Sequence, residues 1–233
     1  YSEAIAKVAP KTDAYIGKNS TIDAKSLTLK AEQQLPGSKD AAHAEATGSG
    51  GALYGSVNAA YSEATNTGEV TAFVGHNSQL TNANDASIPA IGTSQQAAKA
   101  DGYNGGILAV GANISHAESD LGTEATLDTG VNISAQNLTI QAVGNDNNFA
   151  KSISGGGGVV SGRAAESTTE SKSSAKVRIE DGDAANGNVE IDIANQLTIK
   201  ADQTSEFNGK ADSVNAAVGG GSGAATYHTV DST

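Results

Sequence analysis

Four histidines, His43, His76, His116 and His228, are the side chains best suited to proton transfer or metal ligation near neutral pH. They are scattered, and none stands in a His-Glu-x-x-His arrangement or another ligand spacing, so they read as surface residues. Serine is plentiful, yet no Gly-x-Ser-x-Gly elbow is present, which leaves a hydrolase nucleophile without support. Gly155-Gly156-Gly157-Gly158 has the flexibility of a phosphate loop, but the Gly-Lys-Ser/Thr ending is missing and glycine recurs throughout the chain. The best cation candidate is Glu180-Asp181-Gly182-Asp183. Ca²⁺ takes several oxygen ligands, and a turn containing glycine can converge them. The stretch matches neither the EF-hand loop nor the Gly-Gly-x-Gly-x-Asp nonapeptide, so a solvated acidic loop is the favoured reading. A polysaccharide-acting enzyme would need carboxylates or basic groups gathered in a groove. Arg163 and Arg178 are the only arginines, and the acidic residues show no grouping outside that one loop. No catalytic, cofactor-binding or metal-binding residue stands out, and the expectation is a protein that is not an enzyme.

The elements that would position such residues are themselves unusual. In 233 residues there is no Cys, Met or Trp, aromatics make up 4%, and Gly numbers 28. Large side chains normally dominate a compact core. Here Ala, Val, Ile and Leu must fill it, which suits a narrow, regularly stacked interior. Net charge is 14 − 26 = −12, with no basic cluster, so phosphate backbones are repelled and nucleic acid is not an expected partner. No apolar run approaches the ~20 residues needed to span a bilayer as a helix.

The stretch from Thr12 to Glu32 sets the pattern. Ala14-Tyr15-Ile16 and Leu27-Thr28-Leu29 alternate as half-buried strands do, with Ile22-Asp23-Ala24 between them and Gly17-Lys18-Asn19-Ser20 as a corner. Ile22, Ala24, Leu27, Thr28, Leu29 and Ala31 recur as Ile133, Ala135, Leu138, Thr139, Ile140 and Ala142 (133 − 22 = 111), with Asp128 and Gly130 at the corner. Another copy closes on Leu197-Thr198-Ile199 (197 − 138 = 59), and Val74 follows Ile16 by 74 − 16 = 58. The period is therefore roughly 52–60 residues. Paired glycines mark it at Gly50-Gly51, Gly105-Gly106, Gly157-Gly158 and Gly220-Gly221. The last interval is long because copy four carries an insertion of seven residues (170 − 163) around Asp183 to Asn188, which should loop out. Gln33 to Asp40 reads as a turn or outward loop. Ser94 to Ala100 could form a turn of helix, and the Pro-bearing stretch Asn84 to Ile91 interrupts the pattern of copy two.

Short strands at a fixed period, with insertions at corners, predict an all-β parallel solenoid, each period forming about three coils of roughly 18 to 20 residues. Ile16, Ile22, Leu27, Leu29, Val74, Leu127, Ile133, Leu138, Ile140, Ile191, Ile193, Leu197 and Ile199 should point inward. Gly17, Gly75, Asn19, Asn77 and Gly130 should lie at corners, several with positive φ. The chain opens inside a repeat, since Tyr1-Ser2-Glu3-Ala4 recurs as Tyr61-Ser62-Glu63-Ala64. Residues 1–233 are thus expected to be one continuous segment of a longer protein, about four repeats long.

Ala-Tyr-Ile-Gly at positions 14–17, Ile-x-Ala-x-x-Leu-Thr-Leu-x-Ala at 22–31 and the Gly-Gly stretches, in this order, resemble the repeats of large bacterial leukotoxin-type and filamentous-haemagglutinin-like surface exoproteins. The resemblance covers essentially the whole chain. It implies a right-handed parallel β-helix, export through an outer-membrane secretion partner, and adhesion to host or neighbouring cells. It carries over no catalytic residues and no cofactor. A self-assembling extracellular filament is the alternative, and a polysaccharide-acting β-helix enzyme a third.

Overall fold

A computed structural model of the chain describes residues 1–35, 37, 39–182 and 187–231. These residues are all-β, with no helix. The strands are β1 (Ser2–Val8), β2 (Lys11–Ile16), β3 (Thr21–Asp23), β4 (Ser26–Thr28), β5 (Ala31–Gln33), β6 (Ala42–Gly51) and β7 (Gly55–Asn66). They continue with β8 (Glu69–Val74), β9 (Gln79–Ser119), β10 (Gly122–Leu127), β11 (Asn132–Ser171), β12 (Ser174–Ile179) and β13 (Glu190–Val230). Residues 94–100, whose composition allows a helical turn, lie inside β9. Their alternating burial suits a strand, and pairing on both sides outweighs the helix preference of alanine.

Every strand pairing is parallel, and its partners lie one sequence period apart. Ser2 pairs with Ala60, Gly55 with Leu108, Val160 with both Leu108 and Gly219. The offsets are 60 − 2 = 58, 108 − 55 = 53, 160 − 108 = 52 and 219 − 160 = 59. No described strand pairs at an offset of 18 to 20, so the expected three coils per repeat are replaced by one wide layer per repeat. Equivalent residues therefore stack directly on each other, about 4.8 Å apart. One sheet follows the order β1-β7-β9-β11-β13, with β3 to β6 added on β9, and the other follows β12-β10-β8-β2.

Within a layer the chain runs out and back. Near the first bend the aliphatic residues gather: Val70, Ala72 and Val74 of β8 and Ala125 and Leu127 of β10 pack on Leu80, Ala86, Ile88, Ile133, Leu138 and Ile140. Farther out the interior changes to alanine, with Ala42, Ala44, Ala98 and Ala150 on the outward arm against Ala64 and Ala117 on the return arm. At the far end β9 doubles back between Asn104 and Val110. The Asn104 amide donates to the Val110 carbonyl at 2.8 Å, and farther back Asn58 donates to the Gly48 carbonyl at 2.9 Å. These amides fasten arm to arm where no large apolar side chain does so.

Ile16, Val74, Leu127, Ile133, Leu138 and Ile140 are buried, as expected, and Ile22, Leu27, Leu29, Ile191 and Ile193 are partly buried against the same core. Leu197 and Ile199 are in register with Leu138 and Ile140 but remain 46% and 48% exposed, because β13 is the last layer and nothing covers it. At the corners Asn19 (φ 56°), Asn77 (φ 55°) and Gly130 (φ 68°) are left-handed. Gly17 and Gly75 are not. Gly75 answers to close approach instead, since a Cβ there would lie 2.7 Å from the Lys18 nitrogen.

The insertion in the fourth copy divides into two parts. Leu127 pairs with Ile179 at 179 − 127 = 52 and Asn132 with Glu190 at 190 − 132 = 58, so six residues enter between β12 and β13 without displacing either. The seventh is a bulge, where the register steps between Ala135 and Asn137 from 193 − 135 = 58 to 196 − 137 = 59. Residues 183–186 of the expected loop lie outside the described residues, while Gly187 and Asn188 are not in a strand. The Gln33 to Asp40 stretch accommodates five extra residues between β5 and β6, as the offset drops from 92 − 33 = 59 to 96 − 42 = 54. The proline-bearing stretch does not break its layer. Pro89 sits within β9 opposite Gln141 and forgoes only its own donor.

Candidate functional site

Two polar clusters arise from this stacking, and neither is visible as a motif. The first lies where the aliphatic core gives way to the alanine arms. Asp146, on the outward arm of β11, is 3% exposed. Its carboxylate accepts from the hydroxyls of Ser119 and Ser205 (the latter at 2.8 Å), from the Asn148 amide at 3.2 Å and from the Gln203 amide. One layer away Asn66, Ser94 and Gln96 form the equivalent network. Four protein donors thus satisfy this buried side chain, which has no ion pair among the described residues. A shallow groove passes beside it, between 93–95 and 145–147, with Glu206 as its second carboxylate. Glu206 accepts from Asn147 at 3.2 Å. Both carboxylates are thus engaged by protein donors, and the arrangement fastens arms and layers.

The second cluster is on the outer face of the return arm. His116, Glu118 and Glu170 bring one ligand atom each within 4.8 Å of one another. Glu118 and Glu170 are register partners in adjacent layers. Lys172 reaches both, at 2.7 Å and 3.1 Å, so a protein ammonium already supplies the cation that two stacked carboxylates require. Burial pushes the Glu118 carboxyl up, but the hydrogen bonds from Lys172 and His116 outweigh it and hold the group below its usual range. Those same carboxylates hold the Lys172 ammonium above its usual range.

In the same columns, one and two layers away, Glu63 accepts from Tyr61 at 2.8 Å and pairs with Lys7 at 2.6 Å. Burial, and then the hydrogen bond to Glu63, push the Tyr61 phenol up to about 12. Because the folded state raises this pKa, the associated stability is complete below the ordinary value of 10.0 and is lost as pH rises through about 12. A spectrophotometric titration should therefore show a tyrosine step at about pH 12 that belongs to Tyr61. Tyr61→Phe should remove that last step and leave the others in place.

The other residues singled out in the sequence stay apart. His43 contacts Asp40 at 2.7 Å, and His76 approaches Asp128 at 3.8 Å. His228 bonds Thr169 at 2.6 Å and tilts against Phe207 with ring centroids 5.8 Å apart. Gly155 to Gly158 form part of β11 where it turns back, with no helix beside them. Glu180 is tied to Arg178 at 2.6 Å, and Asp183 of the acidic stretch lies outside the described residues. Arg178 also reaches Glu124 at 3.6 Å in the next layer.

Arg163 is different. It is 5% exposed and points between the arms, donating to the Asn104 carbonyl at 2.8 Å, while its Nε has no partner among the described residues. Its guanidinium fills a slot that only glycine leaves open, since a Cβ at Gly111 or Gly156 would come within 2.6 Å or 2.2 Å of it. Burial pushes its pKa down. A buried charge without a carboxylate partner is costly to keep. Arg163→Met should consequently melt at the same temperature as the parent or higher, measured by circular dichroism.

Sequence reading overlooked Asp146, Glu118, Glu170 and Lys172. The signal that finds them is the register: once the offset of 52 is known, Glu118 and Glu170 fall in one column (170 − 118 = 52). Comparison with protein-family models, curated proteins and solved structures found no match to this chain.

Proposed function

We propose that this chain is a rod segment of a secreted or cell-surface filamentous adhesin, a right-handed parallel β-solenoid in which each repeat of 52–60 residues is one turn. Residues 1–233 are, on this reading, one continuous stretch of a longer protein. The observation that carries the proposal is the in-register stacking of whole repeats. Each layer buries its apolar residues on the next, so length grows by simple addition. The outward positions then form polar columns along the stack. Asp85, Asn137 and Asn195 hydrogen-bond successively at 2.8 and 2.7 Å, and Lys11 pairs with Glu69 at 3.1 Å. Single surface pairs of this kind contribute little to stability. Their use is to present one polar surface repeatedly, and weak contacts repeated along it add through multivalency.

The partner is a protein or glycan on a host or neighbouring cell, with an outer-membrane secretion partner for export and no nucleic acid. The protein turns over no substrate and holds no cofactor or metal. A self-assembling structural filament is the second reading, since layers that add by stacking are themselves a building material. Attachment of cells with and without the full-length protein tests the proposal, alongside a polysaccharide-cleavage screen of this segment. Loss of attachment without cleavage is the expected result. Unchanged attachment with clear cleavage overturns it for an enzyme, and unchanged attachment with loss of surface fibres overturns it for the filament.

A further inference from the structure

The outer surface changes character toward the glycine bend. Between Glu45 and Glu63, Asp101 and Glu118, Lys151 and Glu166, and Asp212 and Asp231, the only Asp, Glu, Lys or Arg is Arg163, whose guanidinium is buried between the arms. All 26 acidic residues and 13 of the 14 basic ones (14 − 1) therefore lie elsewhere on the molecule. Large apolar side chains occupy this uncharged edge. Ile107, Leu108, Val159 and Val160, in the two middle layers, are 43–54% exposed, and Tyr54 and Val218 in the outer layers are 76% and 90% exposed. The register aligns them: Leu108 stands on Gly55 and under Val160, so the residues just before, Tyr54, Ile107 and Val159, form a column that Val218 completes. An apolar ridge thus runs along the stacking direction through four layers.

We propose that this ridge is a lateral self-association surface, on which a second copy of the chain docks edge to edge. Three features favour a copy over other occupants. First, a ridge repeating every ~4.8 Å is matched by another ridge of the same period, and a two-fold arrangement lets the same columns face each other over all four layers. Second, the acidic body repels other copies wherever its charges meet, and the bend edge is the strip where that repulsion is absent. Third, Tyr54, Ile107, Leu108, Val159, Val160 and Val218 stand 43–90% exposed side by side on it, a contiguous apolar edge of the kind that marks a protein contact. A lipid surface fits less well, because the ridge has no tryptophan and no flanking basic cluster to meet anionic headgroups. The pairing is lateral, independent of the adhesive reading, and distinct from any stacking on β13.

Sedimentation velocity of the protein against the double variant Ile107→Lys, Val159→Lys tests this. Both positions are exposed, so the variant should keep the circular dichroism and melting temperature of the parent. The parent should form a dimer that strengthens with salt, and the variant should weaken it by about a hundredfold. Since the chain has no cysteine, Ile107→Cys introduces a single thiol that should cross-link copies on oxidation, whereas Lys18→Cys at the opposite bend should not. A parent that stays monomeric overturns the proposal. So does a dimer equally strong in the variant, or cross-linked only from Lys18→Cys, which would indicate contact elsewhere. Flotation with neutral phosphatidylcholine vesicles that the double variant loses, from a monomeric parent, overturns it in favour of lipid.

Discussion

Leu138→Ala is expected to destabilise the protein by about 3 kcal/mol, and Leu197→Ala by about 1 kcal/mol or less. The two leucines are register partners in adjacent layers, with the same sequence surroundings, Asn-Leu-Thr-Ile before and Asn-Gln-Leu-Thr-Ile after. Leu138 is 1% exposed, covered by Ala86 on one side and Leu197 on the other. Removing its methyl groups loses their transfer free energy and leaves a cavity that stacked strands, fixed by pairing on both sides, cannot close. Leu197 is 46% exposed in the last layer, so truncation there opens no enclosed void. Denaturant unfolding of both variants checks the pair. Equal losses would mean that the two positions share one environment, as they would if β13 were covered in solution by another layer.

The second large effect is expected at the glycine bend. Gly158→Ala should destabilise by about 3 kcal/mol, while Gly162→Ala should change stability by less than about 0.5 kcal/mol. Neither residue needs a left-handed backbone. The difference is in space. A Cβ at Gly158 would lie 2.2 Å from the Gly106 carbonyl oxygen of the layer beside it, and backbone cannot yield as a side chain can. The same crowding recurs at Gly106, where the contact is the Ala52 oxygen at 2.5 Å, and at Gly220, where it is the Ser161 oxygen at 1.9 Å. At Gly162 nothing lies within 4 Å. Melting temperatures of the two alanine variants provide the comparison. Tolerance at Gly158 would show that the layers do not approach each other so closely at the bend.

This crowding accounts for Gly106, Gly157, Gly158 and Gly220, whereas a Cβ at their partners Gly50, Gly51, Gly105 and Gly221 would meet nothing closer than 3.6 Å. Other parts of the fold were legible for equally physical reasons. Ile133, Leu138 and Ile140 repeat Ile22, Leu27 and Leu29 because each must fill the same place in a stacked core, and Asn19, Asn77 and Gly130 repeat because a left-handed corner tolerates few residue types. What periodicity did not convey was how much chain makes one layer. Apolar triplets such as 14–16, 22–24 and 27–29, separated by turn-forming residues, look like successive coils, although they are successive sides of a single one. The alanine arms were hard to read for a related reason. Ala98 and Ala100 face inward among Gln96, Asn113 and Ser115, so the contrast between inside and outside that marks a strand is faint, and alanine suggests helix. Asp146 was hidden altogether, since its donors Ser119 and Ser205 come from different layers and lie 27 and 59 residues away.

The central claim is that one repeat makes one layer, and spin labels on the β2-β8-β10-β12 sheet test it most directly. Asp13 is in register with Thr71, Thr71 with Glu124, and Glu124 with Lys176, so Asp13 and Lys176 are three layers apart. Asp13→Cys and Lys176→Cys introduce the only two thiols in the chain. Labelled there and measured by electron paramagnetic resonance, they should report a backbone separation of about 14 Å, three steps of ~4.8 Å. A separation of about 43 Å, the distance for three coils in every repeat, would contradict the account.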